Sequence, residues 1–134
     1  MSAPVIVLDS GAVERVTTDR VVRAMVHDLL TDGWDPVIPT VTLAEAITGR
    51  PTDAPANQAI NRLGTVTTDA DTARRAGWLR TAVVRAGGRR VPSGIDAIVA
   101  AHAVGAGRGV VLTTDPVDLR RLLADHPSVA VTRV

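Results

Sequence analysis

The sequence predicts a three-layer α/β/α sandwich with a mainly parallel central sheet, and three observations predict it. Val5–Leu8 and Gly109–Thr113 are short runs rich in β-branched residues with no polar alternation, as in strands buried on both faces. Segments of helical spacing separate the strand-like runs, so strands and helices alternate along the chain. The 134 residues, 46% hydrophobic and 22% charged, match one ordinary globular domain, expected to span 1–134.

Taken in order, Val5–Leu8 opens the sheet and ends at Asp9. Thr18 or Asp19 caps a helix reaching about residue 30, with Val22, Met25, Val26, Leu29 and Leu30 on one face. Asp-Gly-Trp-Asp-Pro at 32–36 reads as a turn and 37–38 as a second short strand. Thr40 or Thr42 opens a helix over 41–48, stopped by Gly49. Residues 49–57 form the most loop-like stretch, followed by a short helix over 57–63 and a strand near 65–67. Asp69 begins a longer helix to about residue 86, Gly87-Gly88-Arg89-Arg90 makes a basic loop, and Ser93 caps a helix to 104. Gly109–Thr113 is the next buried strand, 116–124 a helix and 129–131 the closing strand.

Composition removes several classes of function. All 15 basic residues are arginine, and Lys, Phe, Tyr and Cys are absent. Without lysine a P-loop is impossible, and a receiver domain lacks the lysine it needs. With two tryptophans as the only aromatics, a base-stacking RNA platform has no rings to use. Zero cysteines exclude a disulfide scaffold and thiolate zinc, and His27, His102 and His126 have no ligand-like spacing. A net charge of +1 advertises no global field for nucleic acid. The N-terminal stretch has neither the basic region of a signal peptide nor the length of a membrane anchor, so a cytoplasmic protein is expected.

Most of the acids read as solvated or capping residues, but four do not. Asp9 and Asp115 follow the strands that begin at Val5 and Gly109, and open α/β sheets bind ligands at the carboxyl ends of their strands. Glu45 and Asp96 interrupt otherwise apolar helices, and the helix around Asp96 is apolar nearly all round, as a central helix is. Each has a bland reading. Thr42 with Glu45 and Ser93 with Asp96 would be capping boxes, Asp115 a cap before Pro116, and Asp9 the close of a strand–helix turn. Together, all four face one end of the fold. Converging carboxylates repel by about 4 kcal/mol per pair at ~4 Å and an effective dielectric of ~20, so such a cluster calls for a cation. Oxygen donors without Cys or His select Mg²⁺ or Mn²⁺.

The motifs Val-Ile-Val-Leu-Asp9-Ser, Pro39-Thr-Val-Thr-Leu-Ala-Glu45, Ile95-Asp96-Ala-Ile-Val-Ala-Ala-His-Ala and Val-Leu-Thr-Thr-Asp115-Pro-Val-Asp118-Leu together resemble the PIN domain. More narrowly, they resemble the VapC-type ribonuclease toxins of bacterial toxin–antitoxin modules, over nearly the whole chain. The resemblance implies a Mg²⁺- or Mn²⁺-dependent endoribonuclease with Asp9, Glu45, Asp96 and Asp115 in its acidic site. Asp118 falls where some members carry a further acid, and Ser10 and Thr114 match hydroxyl positions that support the site or contact phosphate. Gly11 departs from the pattern, since many members have a second small polar residue there. The resemblance also implies a small VapB-type antitoxin as inhibitor, expected in an apolar groove beside the 19–32 and 41–48 helices. A homodimer is the expected symmetric state.

No histidine stands near these motifs as general base, so a water activated by the metal is the expected nucleophile, positioned by Asp96 or Asp115. Arg89 and Arg90, after the Gly-Gly hinge and shortly before Asp96, are the expected RNA phosphate contacts, ahead of Arg50, Arg74 and Arg75. Trp78 reads as packing or a dimer contact, and His102 as a satisfied helix histidine. Two other readings stay open: a catalytically inert PIN-like module that binds RNA or a protein, and a different α/β phosphate enzyme. Asp9-Ser10-Gly11 lacks the second aspartate of a haloacid-dehalogenase-like phosphatase.

Overall fold

The computed structural model describes residues 2–134. Strands β1 (Val5–Leu8), β2 (Asp35–Val37), β3 (Gly109–Thr113) and β4 (Val129–Arg133) form one sheet in the order β2-β1-β3-β4, with every pairing parallel. The helices are α1 (Ser10–Val13), α2 (Arg15–Thr18), α3 (Arg20–Thr31), α4 (Leu43–Ala46), α5 (Ala54–Leu63), α6 (Ala70–Arg85), α7 (Gly94–Ala106) and α8 (Pro116–Leu122).

Because successive strand side chains point to opposite faces, β1 and β3 feed two cores. Val5, Val7 and Val111 pack with Leu79 of α6, Ala97 and Ala100 of α7 and Leu119 of α8. Ile6, Leu8, Val110 and Leu112 pack with Val13, Val22, Val26 and Ala59 from the helices between α1 and α5. That is the expected three-layer arrangement, with β1 buried along its whole length. Lacking Phe and Tyr, the protein closes its layers with small side chains. Ala97, Ala100, Ala101 and Ala103 of α7 are fully buried where that helix meets α6, β1 and β3.

Several element boundaries differ from those read in the sequence. Strand β2 starts at Asp35 rather than 37, with Pro36 inside it opposite Ile6. It is an edge strand, where proline's missing N–H leaves no ladder partner unsatisfied. The expected helix over 41–48 is a 3-10 turn (Thr40–Thr42) and the single turn α4, because Ile47 turns to extended backbone. Helix α5 begins at Ala54, not 57, with Pro55 in its first turn, where a missing N–H costs no intrahelical bond. The strand near 65–67 is one bridge between Pro39 and Val66. Helices α1 and α2 fill 10–18, where no element was expected, and α8 stops at Leu122.

The topology gathers one edge. In parallel sheets the crossover helices run back against the strands, so α7, which precedes β3, starts at the strands' carboxyl ends. Asp9 follows β1, the segment bearing Glu45 follows β2, Asp115 follows β3, and Asp96 lies in the first turn of α7. Among the described residues no helix is long and apolar enough to cross a membrane.

Candidate active site

Asp9 is 8% exposed and caps α1, one carboxylate oxygen accepting the Ala12 N–H at 2.9 Å. The strand–helix turn reading therefore holds for it. Its pKa nonetheless stands above the usual carboxylate range. Burial is the main cause, and the charge of Glu45 adds to it. Hydrogen bonds from the Thr113 hydroxyl and from the Ala12 and Gly11 N–H groups only partly offset them.

Asp96 is half-buried, and its pKa is raised first by burial and next by the negative charge of Asp9. Asp118 and Glu45 push the same way, while a hydrogen bond from Ser93 pulls against them. Ser93 accepts the Asp96 N–H at 3.1 Å, so that half of the capping box forms. The other proposed box does not. Thr42 donates its hydroxyl to the Pro39 carbonyl at 2.8 Å and makes no cap bond, and Glu45 is exposed rather than set among buried neighbours.

Asp96 thus feels the charge of Asp9 and Glu45, and Asp9 that of Glu45. Among the described residues none of the three joins an ion pair with an arginine. Like charges gathered at a sheet edge without a cationic partner favour either protonation or capture of a cation. Among the described residues no three such side chains stand close enough together to form a ready-made metal cage.

The remaining candidates divide. Asp115 lies at the same edge one strand over and is exposed; its carboxylate caps nothing, while its N–H donates to the Thr113 hydroxyl at 2.9 Å. Asp118 is taken up by arginine. Arg90 Nη2 reaches both its oxygens at 3.0 and 3.1 Å, and Arg121 Nη1 donates at 2.9 Å. Burial alone would raise its pKa, but these hydrogen bonds and charges hold it below the usual range. Arg89 is exposed without an ion pair among the described residues, as is Arg50, while Arg74 pairs with Asp71 on the surface. His102 is satisfied by Thr68 at 2.9 Å. Trp78, expected to pack or to meet a second copy, is 68% exposed, so it is not a core residue.

Thr113 is the residue that sequence reasoning missed. Fully buried, it bonds the Asp9 carboxyl and the Asp115 N–H, joining the ends of β1 and β3. A threonine ending a run of buried aliphatics was the available signal. Thr114, the hydroxyl that the resemblance points to, sits over Gly11, where a Cβ would run into its hydroxyl. The departure at Gly11 therefore has a steric reason. Gly11→Ala should cost about 1–3 kcal/mol of stability by overpacking, measured by urea unfolding. Wild-type stability in that variant would show that Thr114 rotates away freely.

No family model matches the sequence, and no curated protein does. The fold is of the PIN-like α/β kind. It is shared with a chain of VapBC2 from Rickettsia felis bound to a DNA fragment from their promoter, at TM-score 0.73 and 16% identity, covering 97% of this chain and 98% of that one. DNA-bound VapBC from Salmonella typhimurium gives TM-score 0.65 and 21% identity, with 98% of both chains covered. FitAcB from Neisseria gonorrhoeae gives 0.61 and 17%, with 95% of both covered. At these identities the likeness establishes the fold, and it agrees with the resemblance carried by the sequence motifs.

Proposed function

We propose that the protein is a VapC-type endoribonuclease toxin that hydrolyses RNA phosphodiester bonds with Mg²⁺ or Mn²⁺ and is held inactive by a VapB-type antitoxin. The observation that carries the reading is the Asp9–Asp96 pair, reinforced by Glu45. At the carboxyl edge of a parallel sheet, burial raises the pKa of Asp9 and Asp96, the charge of Glu45 adds to both and that of Asp9 adds to Asp96, and among the described residues none of the three pairs with an arginine. The donor set fits a hard divalent ion, all oxygen and no sulfur or imidazole. The lack of a preformed cage is compatible with Mg²⁺, which keeps several waters and needs only one or two carboxylates.

Asp9, Glu45 and Asp96 would hold the ion. When bound, it supplies charge neutralisation and Lewis acidity at the scissile phosphate. The chain's own work is orientation. Thr113 and the α1 N–H groups fix the Asp9 carboxyl, and Ser93 fixes the start of α7 and with it Asp96. Asp115, exposed and uncommitted, orients the attacking water and takes up its proton. The rival reading is an inert PIN-like module, and one experiment separates the two. After brief induction in cells, sequencing of RNA 5′ ends should show discrete new ends that the Asp9→Asn variant does not produce. No new ends, or the same ends from the variant, would overturn the nuclease reading.

The homodimer belongs to the same proposal, with Trp78 of α6, 68% exposed, as the residue that meets the second copy. For the antitoxin we propose a groove that shares the 19–32 helix of the expected face. A groove of about 400 Å³ runs between α2, α3 and α5, and no residue of 41–48 lines it.

A further inference from the structure

The loop between α6 and α7 is fastened beside Asp96 by a knot of three side chains. Arg90 spans both oxygens of Asp118, and Arg121 donates to Asp118 through Nη1 and to the Arg90 carbonyl through Nη2 at 2.6 Å. Gly88 makes room for it. A Cβ there would lie 2.9 Å from both Cγ1 and the carbonyl oxygen of Val83 and would press on the Arg121 guanidinium. The knot is graded in exposure, with the Asp118 side chain 13% exposed, Arg121 29% and Arg90 70%. Two guanidiniums against one carboxylate leave a net positive charge. The Nε and Nη1 of Arg90 make no hydrogen bond among the described residues. Asp118 is close enough for its charge to be felt at Asp96.

We infer that Asp118 is a positioning residue for RNA rather than a cation ligand: with Arg121 it holds Arg90 as a preset fork for a backbone phosphate next to Asp96. The inference rests on the nuclease reading above. To join a cation, Asp118 would have to surrender three charge-assisted hydrogen bonds that Asp9, Glu45 and Asp96 do not have. Arg90, in turn, has already given up much of the side-chain freedom that a loose surface arginine loses on binding phosphate. Its planar fork matches phosphate geometry, and the donors it keeps face no competing carboxylate in its hydrogen-bond set.

The test measures two affinities separately on the full-length chain. Binding of a short labelled RNA of mixed sequence is followed in EDTA across a salt series, and Mn²⁺ binding is followed without RNA. Asp118→Asn and Arg90→Ala should each weaken RNA binding about tenfold, and Arg90→Ala should lower the salt slope by about one. The double variant should be no weaker than Arg90→Ala alone, because Asp118 acts through that arginine. Mn²⁺ affinity should stay at the wild-type value in both single variants and fall in Asp9→Asn. Loss of Mn²⁺ affinity in Asp118→Asn, additive losses in the double variant, or wild-type RNA affinity in Arg90→Ala would each overturn the fork. Should the wild-type protein bind no RNA, the nuclease reading falls and takes the fork with it. If the wild type binds RNA and the variants match it, the fork falls alone.

Discussion

Asp9→Asn and Asp96→Asn should each lower RNA cleavage by about 10²–10³-fold or more, while thermal stability holds or rises. The two outcomes have one cause. Burial and neighbouring negative charge raise the pKa of both carboxylates, so ionising them in the folded state carries an electrostatic cost that amide replacement removes. Asparagine also preserves what is structural at Asp9, since its side-chain oxygen can still accept the Ala12 N–H. Asp9→Ala, losing that cap as well, should be about 1 kcal/mol less stable than Asp9→Asn. The same cost sets the pH dependence. An acid whose pKa is raised on folding binds its proton more readily in the native state than unfolded. Stability should therefore rise as pH falls from neutral into the range just above the ordinary carboxylate values. Further acidification should reverse the trend, because Asp53, Asp69 and Asp118 have lowered values and lose their hydrogen bonds on protonation. Melting temperatures across pH should show this maximum, and Asp9→Asn should flatten its neutral side. Full cleavage in either Asn variant, or cleavage undiminished by EDTA, would remove these acids from the chemistry.

What was legible in the sequence was whatever burial writes as a long pattern. Runs buried on both faces gave β1 and β3, and the apolar stretch after Ser93 gave α7. Short elements left no such mark. Helices α1, α2 and α4 are single turns, too brief for a helical period, and they exist because tertiary contacts hold them. Prolines misled twice. Pro36 sits in an edge strand and Pro55 in a helix's first turn, both places where a missing N–H costs little. The edge that collects Asp9, Glu45 and Asp96 followed from topology alone. The division of labour among the remaining acids did not. Nothing local in the sequence links Asp118 to Arg90, since they meet only when α8 packs beside the loop before α7. The role of Thr113 likewise depends on the pairing of β1 with β3, which places it beside Asp9.

Reversing Arg20 and Arg23 to Glu should abolish rescue by the antitoxin while leaving the toxin's own activity intact. The floor of the groove between α2, α3 and α5 is apolar, from Val16, Val26, Leu30, Ala59 and Leu63. Its rim carries Arg20, Arg23 and Arg62 against a single acid, Asp28. A segment that fits such a site presents an apolar stripe to the floor and acidic side chains to the rim, so the antitoxin should be amphipathic and acidic where it docks. Two charge reversals replace attraction with repulsion on both sides of the stripe, which should weaken the complex about 100-fold. Blocking the groove instead, by Ala24→Trp in its exposed lining, should do the same without changing charge, which separates shape from electrostatics. Neither change touches Asp9, Glu45 or Asp96. Co-expression with the antitoxin of the proposed pair should restore growth for the wild-type protein and give a complex that survives gel filtration. With the Arg20/Arg23 reversal, growth should stay arrested and the complex should dissociate. Rescue that persists in both variants would place the antitoxin on another face. A wild-type protein that is harmless alone and co-purifies with no small neighbour would end the toxin reading while leaving the nuclease chemistry to stand or fall on Asp9 and Asp96.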